Sequence, residues 1–281
     1  MGNPGYPVPQ TIKEMRSVYD MFSLKGKVAL VTGAGGGIGK ATAAAMAEMG
    51  AKVALMDIPP KEEVLKQNCQ DIRERYGAEV MYVLGDVSKP ESVDAFIAEV
   101  VEKFGTIDIC HNNAGIGLAG DDSNIDIKMW QKVVDINLTG NMLVGRACAN
   151  VMVQHGHGGS IINTASMSGV IVNRLPPKSR YGIAYPATKA GVAHLTKAMA
   201  MDYAQYGIRF NAVSYGYIIS GLHDPKAGFP LEAFDSMAQD TPLGRTASLD
   251  EAVGCVCYLA SDLASFETGS NIIVDGGYTT W

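Results

Sequence analysis

The stretch from Val28 to Gly39 limits what this chain can fold into more than any other. Its first four residues, Val28 to Val31, are all apolar and predict a buried strand. Five glycines follow within seven positions, and the alanine-rich run from Lys40 to Ala47 predicts a helix. A strand, a glycine turn and a helix N-terminus together favour a pyrophosphate, because backbone N–H groups and the positive end of the helix dipole face the anion.

The glycine spacing itself leaves an alternative open. It is Gly33-x-x-x-Gly37-x-Gly39 rather than the more common G-x-G-x-x-G, and a β–α turn that binds no ligand can look the same. The position at the first β–α junction of an alternating chain favours a nucleotide. Gly33, Gly37, Ile38 and Gly39 are therefore candidate cofactor-binding residues.

Strand and helix patterns alternate along the rest of the chain. Strands are predicted at Val28–Val31, Val53–Met56, Val80–Leu84, Ile107–His111, Ser160–Asn163, Arg209–Ser214 and Asn271–Val274. Helices are predicted at Gly37–Met49, Pro60–Tyr76, Pro90–Phe104, Met129–Gln154, Tyr185–Tyr206 and Leu249–Leu259. This alternation predicts a single-domain α/β fold of the Rossmann type: a doubly wound, mostly parallel seven-stranded sheet with helices on both faces.

Two further local patterns concern element ends. Ser88-x-x-Glu91 and Ser248-x-x-Glu251 have the spacing of capping boxes and predict two helix starts. Residues 1–24 begin with a proline-rich run and are expected to form an N-terminal arm outside the domain of residues 25–281.

Composition excludes several classes of function. A net charge of −6 argues against nucleic acid or an anionic membrane as the main partner, and no apolar run reaches the roughly 20 residues of a membrane span. The N-terminus lacks the pattern of a signal peptide, and the five cysteines are odd in number, so we expect a reducing cytoplasm. His155 and His157 have no third ligand at suitable spacing, so no metal site is predicted.

Polar residues follow the predicted strands at the sheet edge where ligands of such folds bind. Asp57 ends the second strand, eighteen residues past Gly39, where a carboxylate would accept hydrogen bonds from the adenosine ribose. Because neither Gly36 nor Ile58 is a basic residue that could bind a 2′-phosphate, NAD is preferred over NADP. The alternative role for Asp57 is that it only caps the next helix. Asp86 and Val87 follow the third strand, where Asp86 would bind adenine or brace the turn.

Later strand ends carry more of these residues. Asn112-Asn113-Ala114-Gly115 follows the fourth strand and Ser166 follows the fifth, while Tyr185 and Lys189 are one helical turn apart and share a face. The glycine turn and these residues occur in an order that resembles the short-chain dehydrogenase/reductase family over nearly all of residues 25–281. The match also includes Thr32, Asp86, Asn137, Asn211-Ala212-Val213 and Asp275-Gly276-Gly277.

The resemblance implies an NAD(P)-dependent oxidoreductase that acts on an alcohol or carbonyl and is commonly a homotetramer. It carries over Asn137, Ser166, Tyr185 and Lys189 as catalytic residues. Cofactor contacts extend to Asn113, Ala114, Gly115, Gly216, Ile218 and Ser220, in addition to Tyr185, Lys189 and the residues named above. The segment 217–241 is expected to act as a substrate lid.

In the mechanism that the family implies, Tyr185 exchanges a proton with the substrate oxygen. A phenol has an ordinary pKa of about 10, which a neighbouring Lys189 cation would lower. Ser166 would bind the substrate oxygen, and Asn137 would hold a water in a proton relay.

Two departures from the family pattern affect the substrate side. Tyr215 stands where the family often has proline, and it is expected to alter packing over the nicotinamide. The distance from Ser166 to Tyr185 along the chain is longer than usual because of a segment at 173–181, which makes Ser168 a rival to Ser166.

Residues 164–173 resemble the corresponding stretch of sorbose, xylulose and other polyol dehydrogenases, which favours a polyol, ketose or sugar acid. Two alternatives stay open: a dehydrogenase of a bulky apolar alcohol such as a hydroxysteroid, suited by Val170, Ile171, Val172 and Leu175, and a non-catalytic dinucleotide-binding sensor.

Overall fold

A computed structural model describes residue 9 and residues 11–117, 124–174, 182–220 and 231–280. The strands are β1 (Val28–Thr32), β2 (Lys52–Asp57), β3 (Val80–Leu84), β4 (Ile109–Asn112), β5 (Gly159–Ser166), β6 (Ile208–Tyr215) and β7 (Asn271–Val274). They form one sheet in the order β3-β2-β1-β4-β5-β6-β7, and every neighbouring pair is parallel. The predicted Rossmann-type, single-domain fold is confirmed.

The helices connect these strands. They are α1 (Val18–Phe22), α2 (Gly37–Glu48), α3 (Glu62–Tyr76), α4 (Pro90–Phe104), α5 (Ile127–Val134), α6 (Gly140–His155), α7 (Ala184–Tyr203), α8 (Leu231–Gln239) and α9 (Leu249–Ala260). A short 3-10 turn, Pro59–Lys61, precedes α3, so that helix begins later than predicted.

The core lies in two apolar layers, one on each face of the sheet. In β1, Ala29 and Val31 pack in the layer that contains residues of α2 and α9, whereas Val28 and Leu30 pack in the layer that contains residues of α4 and α6. Successive side chains of a strand point to opposite faces. Both faces of β1 are buried, which explains its unbroken apolar run.

One helix prediction is confirmed with a local difference and one capping prediction is wrong. The chain is helical throughout the predicted Met129–Gln154, but a π-helical turn at Asp135–Thr139 separates α5 from α6. Ser88 and Glu91 form no capping box, because α4 begins after Lys89 and the Ser88 hydroxyl donates to Asp86 Oδ1 instead, at 2.7 Å.

The other capping box is confirmed. The Ser248 N–H donates to Glu251 Oε2 at 3.0 Å at the start of α9. This pairing satisfies backbone groups that the first turn of a helix leaves without partners.

Within the predicted N-terminal arm, the described residues from Arg16 to Phe22 lie against the outside of the sheet domain. The helix α1 contacts the 3-10 turn Asp262–Ala264, and Arg16 pairs with Asp262. Leu24 is buried, and its N–H donates to Met49 O at 2.9 Å. Across the described parts of the chain, we find no helix with the length and apolar character needed to cross a bilayer.

Candidate active site

The order of the strands changes direction between β1 and β4, and a cavity of about 510 Å³ opens at the carboxyl ends of the strands there. This is the position where open parallel sheets bind ligands. The structure brings most of the predicted site residues to its walls: Gly33, Gly37, Ile38, Asp57, Asp86, Val87, Asn113, Ala114, Gly115, Ser166, Tyr185, Lys189, Gly216, Ile218 and Ser220. Gly39 and Asn137 do not line it.

The glycine turn between β1 and α2 is packed too tightly for side chains at two places. A Cβ on Gly39 would lie 2.3 Å from Gly33 O, and Gly33 itself has a φ of +67°. Gly39 therefore does not line the cavity itself, but its lack of a side chain lets α2 pack closely against the glycine turn. The N-terminus of α2, at Gly37, faces the cavity and offers backbone N–H groups to an anion.

Thr32 joins this turn to the Asn-Ala-Gly turn after β4. Its buried hydroxyl accepts hydrogen bonds from the N–H groups of Asn113 and Ala114, both at 3.0 Å. The Asn113 amide in turn donates to Thr32 O at 3.1 Å. These hydrogen bonds hold the carboxyl ends of β1 and β4 together beneath the cavity, although the two are distant in sequence.

Asp57 lines the end of the cavity where the sequence predicts that the adenosine would bind, which we call the adenosine end. Its Oδ2 accepts from the Gly35 N–H at 2.9 Å and its Oδ1 from the Ile58 N–H at 2.8 Å. The carboxylate therefore holds the glycine turn and also lines the cavity.

Lys61 was missed by the sequence reasoning, which considered basic residues only at positions 36 and 58. The 3-10 turn Pro59–Lys61 brings Lys61 back to the cavity wall beside Asp57. Its Cβ lies 3.3 Å from where a Cβ on Gly35 would be. The adenosine end thus carries one acidic and one basic side chain.

Asp86 braces its own turn, which was one of its two predicted roles. Its Oδ1 accepts from the Ser88 N–H at 2.9 Å and from the Ser88 hydroxyl at 2.7 Å, while the Asp86 N–H donates to Ser92 Oγ. Asp86 also lines the cavity, so its predicted contact with adenine stays a prediction.

Lys189 and Tyr185 lie on the first turns of α7 and face the cavity together. The Lys189 ammonium donates to Thr164 O at 2.7 Å and lies 5.6 Å from the centre of the Tyr185 ring. Burial lowers the pKa of Lys189 to about 8. The hydrogen bond to Thr164 fixes this cation where it can act on the phenol.

Ser166 ends β5, and Ser168 follows in a 3-10 turn. Ser166 Oγ accepts from the Ser168 N–H at 3.2 Å, which leaves its own proton for another acceptor. The Ser168 hydroxyl instead donates to Asn173 Oδ1 at 2.8 Å. The two serines therefore have different hydrogen-bonding states, and Ser166 is the one prepared to donate to a substrate oxygen.

Asn137 lies in the π-helical turn between α5 and α6, and its side chain clamps the backbone of Ile116. Oδ1 accepts from the Ile116 N–H and Nδ2 donates to Ile116 O, both at 2.8 Å, with a longer contact of 3.3 Å to Thr188 Oγ1. This clamp holds the loop after Gly115 against α7. The water-holding role that the family implies for Asn137 stays a prediction.

Tyr215 does not place its hydroxyl over the cofactor path. The Tyr215 hydroxyl donates to Ala252 O of α9 at 2.9 Å, and only 4% of the residue is exposed. The phenol hydroxyl is therefore held by α9, while Tyr215 is also among the residues that line the cavity. The expectation that it alters packing over the nicotinamide stays a prediction. Gly216, next in the chain, approaches Asp275 so closely that a Cβ would lie 2.6 Å from its Cα.

Two predicted segments fall partly or wholly outside the described residues. These are 175–181, which holds Leu175, Lys178 and Arg180 of the longer connection, and 221–230 of the expected lid. The described remainder adds wall residues that had no sequence signal of their own, namely Met56, Ile116, Ile136, Tyr217 and Met237.

A metal-binding cluster is not among these features. Where the structure describes the chain, no three His, Cys, Asp or Glu side chains are grouped to hold a metal ion. His157 bonds to Thr106 Oγ1 and to Gly158 O, both at 2.8 Å, at the amino edge of the sheet.

Comparison with known proteins agrees with the fold. A family model described as enoyl-(acyl carrier protein) reductase matches residues 33–279. A sorbose reductase of Candida albicans is 39% identical over 97% of this chain and 94% of its own length. An NADP-dependent mannitol dehydrogenase of Hypocrea jecorina is 35% identical over 97% and 100%. An NAD-dependent glycerol dehydrogenase of Listeria innocua is 34% identical over 92% and 96%.

Among solved structures, a short-chain type dehydrogenase/reductase from Mycobacterium marinum superimposes with a TM-score of 0.86. It is 40% identical, and the match covers 94% of this chain and 99% of that one. The fold and the site define an oxidoreductase that uses a nicotinamide dinucleotide. The chain belongs to the short-chain dehydrogenase/reductase family.

Proposed function

We propose that this protein is an NAD-dependent dehydrogenase that interconverts a secondary alcohol and a ketone, with a polyol, ketose or sugar acid as substrate. The observation that carries the proposal is the meeting of Ser166, Tyr185 and Lys189 at one end of the cavity that has the glycine turn at its other end. These side chains come from β5 and α7, so the arrangement depends on the tertiary fold.

The cavity fits a dinucleotide on its own geometry. Glycines at positions 33, 36 and 37 line it beside the N-terminus of α2, which leaves room and N–H donors for a pyrophosphate. Asp57 supports NAD, because a carboxylate beside the ribose repels a 2′-phosphate. The Lys61 ammonium, which belongs to the same cavity wall, would attract a 2′-phosphate and so favours NADP. The names of the relatives include both NAD- and NADP-dependent enzymes.

Each residue at the reaction end has a chemical task in the proposal. The bound nicotinamide would accept hydride from the alcohol carbon. Tyr185 takes the hydroxyl proton as a general base, and the nearby Lys189 cation favours its phenolate form. Ser166, whose oxygen already accepts from the Ser168 N–H, keeps its proton and donates a hydrogen bond to the substrate oxygen, which stabilises the charge that develops there.

The positions of the apolar residues after β5 support a polar substrate. Val170 and Val172 are 47% and 72% exposed, and Ile171 packs beside the cluster of Met167, Tyr217, Met237 and Tyr278. None of the three lines the cavity in the described part of the chain. Three of the four residues that suited a hydroxysteroid substrate therefore do not border the cavity, and the fourth, Leu175, lies outside the described residues.

We also propose a homotetramer, paired through α5–α6 and α7, and a cytoplasmic location. The first rests on the family, and the second is supported by five cysteines that are all free thiols. Sedimentation equilibrium of the purified protein tests the assembly, and a trimer or monomer would contradict it.

An absorbance screen tests the proposed function. Purified protein is mixed with NAD or NADP and with polyols, sugar acids or hydroxysteroids, and formation of the reduced nicotinamide is followed. We expect the fastest rates with NAD and a polyol or sugar acid. Faster turnover of hydroxysteroids would reject the substrate class, and cofactor binding without turnover of any alcohol would favour the sensor alternative.

A further inference from the structure

Beside Ser166, a chain of three polar side chains lines the cavity and has no part in the proton transfer described above. We propose that Ser168, Asn173 and Tyr217 form a subsite for a second hydroxyl, next to the carbon that reacts. The subsite would select vicinal diols over simple secondary alcohols. This inference rests on the proposed function, because it specifies the substrate class of the same site.

The hydrogen bonds within the subsite run in one direction. The Ser168 hydroxyl donates to Asn173 Oδ1 at 2.8 Å, and Asn173 Nδ2 donates to Tyr217 OH at 3.2 Å. Because the Ser168 proton is engaged, its oxygen is left as an acceptor. The second N–H of the Asn173 amide has no acceptor among the residues that the structure describes, so it is left as a donor. An acceptor and a donor side by side are what a hydroxyl group requires.

The subsite is held from behind by a second tyrosine. Tyr217 is 8% exposed and packs edge-to-face on Tyr278, with 5.3 Å between the ring centroids. The Arg174 N–H donates to Tyr278 OH at 2.8 Å, so the backbone next to Asn173 is also fixed. Groups fixed in this way lose little freedom when a ligand binds, which favours affinity and discrimination.

Its position relative to Ser166 selects the adjacent carbon. The Ser168 N–H donates to Ser166 Oγ at 3.2 Å, so the backbone of Ser168 lies directly beside the hydroxyl that would donate to the reacting oxygen. Oxygens on adjacent carbons are separated by about one hydrogen-bond length, so a group beside Ser166 is placed to bind the second hydroxyl while Ser166 binds the first. A substrate with an apolar group at this position would shield Ser168 and Asn173 from water. It would offer these polar groups no hydrogen bond in return, which is unfavourable.

The test compares two alcohols that differ by one hydroxyl, butane-2,3-diol and butan-2-ol, in NAD-coupled assays. Asn173→Leu, Ser168→Ala and Tyr217→Phe are measured with each alcohol, and Val172→Leu serves as a control at an exposed position in the same segment. We expect kcat/KM for the diol to fall about tenfold or more in Asn173→Leu, mainly through KM, and butan-2-ol to change by less than about threefold. The Ser168→Ala and Tyr217→Phe variants should show smaller losses in the same direction.

Two outcomes overturn the inference. One is an equal loss with both alcohols in Asn173→Leu, which would mean that the residue only supports the fold. The other is an unchanged ratio of diol to simple alcohol in all three variants. Either result leaves turnover by the wild type, and hence the proposed function, intact.

If the wild type oxidises neither alcohol, the proposed function is what fails for these substrates. Binding of butane-2,3-diol to the protein with NAD, followed by calorimetry, then decides the subsite. Weaker binding in Asn173→Leu supports the subsite, and equal binding overturns it.

Discussion

The two ends of the cavity are built in different ways. The nucleotide end is made by the glycine turn, Asp57, Asp86 and the turn after β4, and much of what it offers is backbone. The reaction end is made from side chains of β5, α7, the segment after β6 and α8, including Ser166, Tyr185, Tyr217 and Met237. Under the proposed function, cofactor binding would therefore depend largely on local backbone shape, and substrate choice would depend on side chains that meet only after folding.

A buried network joins the two ends. Lys189 at the reaction end donates to Thr164 O, and the Thr164 hydroxyl donates to Asn113 Oδ1 at 3.3 Å. Asn113 holds the glycine turn through Thr32 O. His111 completes the network, since its Nε2 lies 3.0 Å from Thr164 Oγ1. Substitutions at each end and at this network therefore separate binding, chemistry and stability.

The largest effect is expected at the reaction end. Tyr185→Phe removes the phenol oxygen and keeps the ring beside Lys189, so kcat should fall by about a thousandfold or more. NADH should still bind with nearly the affinity of the wild type, because the nucleotide end is untouched. Stopped-flow turnover and NADH fluorescence titration measure the two quantities. A Tyr185→Phe enzyme that keeps most of its kcat would remove Tyr185 from the mechanism.

The next effect concerns the network between the ends. His111 is fully buried, and burial together with the Lys189 charge lowers its pKa to about 3. The unfolded chain, with an ordinary histidine pKa of about 6.5, therefore binds a proton that the folded protein does not, and stability falls as the pH drops below that value. From pH 7 to pH 5 this amounts to about 2 kcal/mol in the free energy of unfolding.

The variant His111→Gln keeps a donor and does not titrate. Its urea unfolding free energy should change less than that of the wild type between pH 7 and pH 5. His194→Gln, at an exposed position of α7, serves as the matched control and should follow the wild type. Identical pH profiles for His111→Gln and the wild type would show that His111 is not held neutral by the fold.

The smallest effect is expected at the nucleotide end, where two opposite charges flank the ribose position. In Asp57→Ser, kcat/KM with NADP should rise about tenfold relative to NAD, since the repulsion of a 2′-phosphate is removed. Adding Lys61→Ala should reverse part of that gain. Lys66→Ala, a change of the same kind on α3, should alter neither ratio. Cofactor preference that is the same in Asp57→Ser and the wild type would reject Asp57 as its determinant.

The sequence predicted the fold correctly, and most of the residues predicted to bind the cofactor line one cavity, because both results depend on local patterns. The apolar run of β1 and the glycines after it are contiguous, and the polar strand ends meet because parallel strands place their carboxyl ends at one edge. The helix over Met129–Gln154 was predicted, but its π-helical turn at Asp135–Thr139 was not, because such a turn changes hydrogen bonding locally in a way that apolar spacing does not reveal.

The reaction end was predictable only as far as the family pattern reached. Tyr217 and Met237 have no signal in the sequence, because their position at the cavity depends on how the chain after β6 packs on Tyr278. Lys61 was missed because a 3-10 turn returns it to the wall. The orientation of Tyr215 into the core follows from its strand position, yet the choice of partner, Ala252, is tertiary.

The central claim is that this cavity transfers hydride directly from an alcohol carbon to a nicotinamide. The most direct measurement uses a secondary alcohol with deuterium on its carbinol carbon, together with NAD in ordinary water. The account predicts that mass spectrometry finds one deuterium in the NADH formed and a ketone as the second product. NADH that carries only solvent hydrogen, or no NADH from any alcohol tested, would contradict it.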